Sequence, residues 1–93
     1  MEVKEAVKTA KEYIIDLFSD ETITDIGLEE VRLDMDLDQW EVTIGFHRPW
    51  DHRNKLTTAL GEQYPARSYK VVIIHARSGH VLSITDRVLP AST

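Results

Sequence analysis

The chain opens with apolar residues at helical spacing. Val3, Ala6, Val7, Ala10, Ile14, Leu17 and Phe18 recur every three or four positions, and Glu2, Lys4, Glu5, Lys8, Lys11, Glu12 and Asp16 fill the rest of the wheel. This spacing predicts an amphipathic helix over residues 2–18. Lys8 and Glu12 are one turn apart and support its wet side. From Val31 the period falls to two. Val31, Leu33, Met35 and Leu37 alternate with Arg32, Asp34, Asp36 and Asp38, and then Trp40, Val42, Ile44 and Phe46 alternate with Glu41, Thr43, Gly45 and His47. Two antiparallel strands, about 28–37 and 39–47, follow from that alternation, with Asp34 and Glu41 as candidates to face one another. Residues 69–76 contain Val71, Val72, Ile73 and Ile74, apolar on both faces, so this third strand wants cover on both sides. A turn at Arg77–His80 leads to a fourth strand over 81–88, and residues 90–93 read as a frayed tail.

The expected fold is therefore α+β: an N-terminal helix packed on a four-stranded antiparallel sheet in the order α-β-β-β-β, forming one domain over residues 1–93. Trp40 and Phe46 are the expected aromatic anchors beneath the helix. Truncating such a side chain costs about 3–5 kcal/mol, a large share of what a small domain has.

The departure from this regular pattern is the connection over residues 48–68. Connections of that length in a compact domain are usually functional or disordered. Arg48, Trp50, Arg53, Lys55, Tyr64 and Arg67 interleave basic groups with aromatics. That mixture suits a protein interface, where Arg, Trp and Tyr serve as anchors, and it also suits stacking on single-stranded nucleic acid. A purely structural alternative is that Trp50, Leu56, Leu60 and Tyr64 fold over the second apolar face of the third strand, with a helical turn near 54–60 ended by Gly61. A homodimer would cover the same face by another route.

Charge divides the chain at this connection. Residues 1–46 hold 13 acids against 4 bases (−9) and residues 47–93 hold 3 against 7 (+4), for a net charge of −5. The acidic whole argues against nucleic acid as the partner. The acids Asp34, Asp36, Asp38 and Glu41, read as one solvent face of the hairpin, offer a second interaction surface: that of an acidic neutralising protein, immunity or antitoxin-like, which would mimic phosphates toward a basic toxin.

The chain has no cysteine, which removes disulfides and thiol chemistry. It also lacks the apolar run of an export signal and the roughly 18 consecutive apolar residues of a membrane span. A cytoplasmic protein with no membrane association is the expectation. His47, Asp51 and His52 are the nearest approach to a metal or acid-base cluster, but Pro49 and the spacing are wrong for two ligands on one helical face. Adjacent second and third strands would offer His47 and His75 a chance to meet, with His80 at the last turn. Ser68, Ser78 and Ser83 sit in no nucleophile motif, and no Gly-rich phosphate loop is present. No catalytic residue, metal or cofactor is expected, and a small enzyme would need a pocket joining a His to a carboxylate.

The segments EAVKTAKEYI, WEVTIGF and YKVVIIHARSGHVLSI together resemble the PepSY-like domains and the broader cystatin-like arrangement of a helix held on an antiparallel sheet. The resemblance covers most of the chain outside residues 47–68. It implies the fold already described, and an inhibitory or interaction role of the kind associated with peptidase propeptides and with secreted or membrane-attached proteins. Two features depart from that family: the absent export signal and the long connection between the second and third strands. Gln39-Trp40-Glu41-Val42 does not reproduce the inhibitory wedge of true cystatins. The expected function is a non-catalytic protein-binding module using the 48–67 segment.

Overall fold

The computed structural model describes residues 1–49 and 67–87. The helix α1 (Val3–Leu17) is followed by β1 (Thr24–Asp34), β2 (Gln39–His47), β3 (Ser68–His75) and β4 (Val81–Asp86). The strands form one antiparallel sheet in the order β1-β2-β3-β4, so each strand pairs with its neighbour in sequence. This is the α+β architecture that the change of hydrophobic period from helical to two predicts.

Side-chain alternation sorts the sheet into two faces. On one, Val42, Ile44 and Phe46 of β2 and Val72 and Ile74 of β3 are fully buried against Ala6, Ala10 and Ile14 of α1. The two alanines lie one turn apart, and their small side chains let the helix come down close to the strands. Ile23, Ile26, Val31, Val81 and Ile84 extend the core toward both sheet edges. Phe46 is the aromatic anchor, its ring 5.3 Å from that of Phe18 just beyond the helix. Trp40 takes a lesser place than the sequence suggests. It is half-buried at the rim of the core, opposite Leu33 on β1 and Ile74 on β3.

The first strand differs from its expected bounds at both ends. It begins four residues early, at Thr24, because Asp25 takes a left-handed conformation (φ 55°) and the register shifts between Thr24 and Gly27 and again between Leu28 and Glu30, which hides the alternation. It ends at Asp34, where Asp34 Oδ1 accepts hydrogen bonds from the backbone N–H of Asp36 (3.0 Å) and Leu37 (3.1 Å). This Asx-type turn, completed by Asp38 at φ 55°, takes Met35 and Leu37 out of the sheet even though they continue the apolar alternation. The register sets Arg32, not Asp34, opposite Glu41, and Asp34 faces Gln39.

At the other hairpin, His75 N–H donates to the His80 carbonyl (2.9 Å), and Gly79 supplies the left-handed residue (φ 75°). The helical turn expected near 54–60, the cover over the third strand and the tail at 90–93 lie outside the described residues, and β4 ends at Asp86. Among the described residues no helix is long and apolar enough to cross a membrane.

Candidate functional site

The sheet face away from α1 carries a belt of ion pairs. On it Arg32 Nη2 lies 3.0 Å from Glu41 Oε2, and Arg87 donates to Thr43 Oγ1 (3.0 Å) and pairs with Glu30 (3.2 Å). These groups, with Val71 and Asp86, line an open depression of about 370 Å³. Thr43 is 98% buried, a polar group whose hydroxyl is satisfied by Arg87, so the depression is a neutralised charge ladder over a half-buried apolar floor. Farther along the same face, Gly27 and Gly45 oppose one another on β1 and β2. The Arg67 guanidinium lies over this bare strip, donating to the Asp25 carbonyl (2.9 Å) and pairing with Glu29 (3.5 Å).

Arg48 is held on the opposite, helix-side face. Its guanidinium makes a fork with Glu21, Nε to Oε1 at 3.0 Å and Nη2 to Oε2 at 2.6 Å, and sits 4.6 Å above the Phe18 ring. Both side chains of the pair are about four-fifths buried. This geometry locks the link after α1 to the end of β2, and a partly desolvated bidentate pair of this kind outweighs an exposed one. The two arginines that border the long connection are therefore spent on different faces of the sheet and do not form one basic surface. Trp50, Arg53, Lys55 and Tyr64 lie outside the described residues.

The four acids read as one hairpin face are also separated. Asp34 is committed to the turn, Asp38 pairs with Arg77 across the two hairpins (2.7 Å), and Glu41 pairs with Arg32. Asp36 stands exposed in the turn, not on a strand. The physical reason is the early end of β1: beyond Asp34 there is no pleat to align alternate residues.

His47 and His75 lie on adjacent strands but do not meet. His75 is opposite Gln39, at the far end of β2 from His47, which at strand rise places them roughly 25 Å apart. His47 Nδ1 instead lies 2.8 Å from Asp25 Oδ2. That hydrogen bond is the leading cause of an Asp25 carboxyl held below its ordinary value of 3.8, with the charges of His47 and Arg67 adding to it against a desolvation that opposes it. This His–carboxylate pair is not among the residues lining the depression. Among the described residues no group of three His, Asp or Glu side chains is placed to hold a metal ion.

Sequence reasoning overlooked one exposed apolar feature. Leu33, Met35 and Leu37 are 41%, 83% and 64% exposed at the β1–β2 hairpin, and the alternation had assigned all three to the core face. The hairpin that carries them is pinned by the Asp34 hydrogen bonds, by the Asp38–Arg77 pair and by Ala76 N–H donating to the Asp38 carbonyl (2.9 Å). The three consecutive aspartates at alternate positions were the available signal, since Asp favours turns over strands.

Among the described residues, fold and site together define an α+β arrangement of one helix on an open four-stranded sheet, with a neutralised charged face and an apolar hairpin tip. Comparison with protein-family models, curated proteins and solved structures gives no match for this chain.

Proposed function

We propose that this protein is a non-catalytic, cytoplasmic protein-binding module, and that the β1–β2 tip is its principal contact surface. One observation carries the reading: Met35, Leu37 and Leu33 are presented to solvent by a turn whose backbone is fixed at three points. Exposed apolar side chains scattered over a surface are ordinary, whereas a group of them on a braced hairpin costs solubility and is pre-organised for docking. Methionine adds an adaptable contact. The partner chemistry that fits is an apolar cleft with a basic rim, because Asp36 stands exposed between Met35 and Leu37 and the chain is acidic overall. An interaction role is also what the PepSY-like resemblance implies. The 48–67 segment remains the competing contact surface on the strength of its composition.

The test is cross-linking and capture with the full chain, comparing wild type with the double variant Met35→Ser, Leu37→Ser and with Arg53→Glu, Lys55→Glu. The tip reading expects one partner that cross-links at residues 35–37 and is lost from the first variant alone, with its melting temperature unchanged. Loss only from the second variant transfers the function to the long connection and overturns the tip.

A further inference from the structure

Among the described residues, β1 and β4 are the two edges of the sheet. An edge strand is a template for another strand, and proteins blunt such edges by shortness, bulges or charge. β4 is blunted twice over: it is six residues long, and its register with β3 shifts between Ile73 and Ile74. β1 has 11 residues, and both of its register shifts fall before Glu30. From Glu30 to Asp34 it pairs residue for residue with Thr43 to Gln39, leaving a regular edge five residues long on the outside.

We infer that this edge pairs with the same edge of a second copy, antiparallel about a two-fold axis at Val31, and joins two four-stranded sheets into one of eight strands. Directly opposed residues of an antiparallel pair share a sheet face, so a strand pairing with itself is limited to registers centred on a residue. Centred on Glu30, two glutamates meet. Centred on Arg32, two arginines meet and Glu30 opposes Asp34 of the second copy. Centred on Leu33, Arg32 opposes Asp34 of the second copy, but Glu30 then opposes Asp36, and beyond Asp34 the pairing runs into turn residues that have left the sheet and cannot extend it. Centred on Val31, Glu30 opposes Arg32 of the second copy and Arg32 opposes its Glu30, giving two opposite-charge pairs and no like-charge pair. Leu33 and Asp34 then face Glu29 and Leu28, residues at the register shift that are still within β1, so the contact can extend where the Leu33-centred one meets a turn.

The pairing also continues what the open face already contains. Within one copy the ladder runs Glu41 to Arg32 on one row and Arg87 to Glu30 on the next. The Val31-centred register joins these rows across the axis, Glu41 and Arg32 of one copy meeting Glu30 and Arg87 of the other, with charges alternating in sign throughout. On the helix side, half-buried Val31 meets its own mate. The interface is isologous and closes at two copies, because the pairing uses the same β1 edge of each monomer.

The experiment is sedimentation equilibrium on the full chain for wild type, Glu30→Arg, Arg32→Glu and a 1:1 mixture of the two variants, with thermal melts confirming the fold of each. Both residues are exposed, so both variants are expected to melt cooperatively. Wild type should be a dimer, each variant alone should bind itself about tenfold more weakly or worse, and the mixture should recover a heterodimer, since each reversed charge then faces its complement. A monomeric wild type at about 1 mM, self-association of the single variants equal to wild type, or a mixture that recovers nothing overturns the inference. Dimerisation lost in Met35→Ser, Leu37→Ser but retained in the charge variants overturns it in favour of the tip. If either variant fails to melt cooperatively, hydrogen exchange on wild type at two concentrations decides instead: amides of residues 30–34 must gain protection with concentration, and no gain refutes the edge pairing.

Discussion

Gly45 lies directly opposite Gly27, and the guanidinium of Arg67 occupies the space that a side chain on Gly45 would need. A Cβ at position 45 would stand 2.8 Å from Glu29 Oε1, 2.9 Å from Arg67 Nη2 and 3.1 Å from Arg67 Nε. A Cβ at position 27 would make only an ordinary contact of 3.8 Å with Arg67. Gly45→Ala is therefore expected to displace the Arg67–Glu29 pair while leaving the strand in place, at a cost of about 1 kcal/mol in a denaturant titration. Gly27→Ala should be neutral within about 0.5 kcal/mol. The decisive arm is the double variant: with Arg67→Ala already present, Gly45→Ala should lose its cost or become stabilising, because the guanidinium has gone, the Glu29 side chain is released from its ion pair and can swing away, and the unfolded chain is stiffer. Equal costs in both backgrounds refute the account.

Phe46 and Trp40 occupy corresponding positions in the sequence pattern but unequal ones in the core. Phe46 is fully buried beneath α1 and against Phe18, so Phe46→Ala should cost about 3–5 kcal/mol and leave little cooperative unfolding. Trp40 is only half-buried at the rim, and Trp40→Ala should cost about 2 kcal/mol and retain a cooperative melt at lower temperature. Calorimetry on the two variants checks the ranking, and a larger loss at Trp40 contradicts it.

That inequality shows where the sequence is readable. Alternation identified the core face of β2, through Val42, Ile44 and Phe46, but not that of β3, whose run of Val71 to Ile74 reads as apolar on both faces while only Val72 and Ile74 are fully buried. Alternation cannot report how far a position lies from the sheet's end, which separates Trp40 from Phe46. Nor does it stop where the sheet stops: Met35 and Leu37 keep the period after the Asp34 carboxylate, accepting from two backbone N–H groups, has turned the chain. The bulged start of β1 was hidden for the converse reason, since an extra residue shifts the phase of every apolar position before it. Ion pairs such as Arg48–Glu21 and Arg67–Glu29 join residues 27 and 38 positions apart, and only the completed register brings them together.

Acid should weaken the fold through two surface carboxylates. The His47 hydrogen bond lowers the Asp25 value, and the Lys70 hydrogen bond lowers that of Asp86. A carboxylate whose folded value lies below its unfolded one contributes stability that is fully present above the unfolded value of 3.8 and is lost as the pH falls through the folded value. The melting temperature should therefore drop below about pH 4 in wild type. Both groups are exposed, so each contribution is screened, and the readout is a slope. Asp25→Asn and Asp86→Asn should each flatten the acid limb by lowering the melting temperature slightly near neutral pH and converging on wild type in acid, where the carboxyl is protonated in both states. An acid limb identical to wild type in both variants would show that neither pair couples to folding.

The hairpin tip joins stability to the proposed function through Asp34. Its carboxylate oxygen receives two backbone N–H groups of the turn, those of Asp36 and Leu37, and thereby sets the direction in which Met35 and Leu37 point. Asp34→Ala removes the acceptor in a solvent-exposed turn, where water replaces it, so the global cost should be only about 1 kcal/mol. The local consequence is larger. Without that acceptor the turn retains the Asp38–Arg77 pair and the Ala76 N–H to Asp38 carbonyl bond at its far end but loses its brace at the near end. Amide exchange at Asp36 and Leu37 should accelerate while that of β2 stays as in wild type, and capture of a tip-binding partner should fall more than the change in melting temperature accounts for. Asp34→Asn, which keeps an acceptor oxygen at the same position, should restore both. If Asp34→Ala binds the partner as wild type does while the turn amides exchange faster, the rigidity of the tip has no part in recognition and the apolar side chains alone carry it.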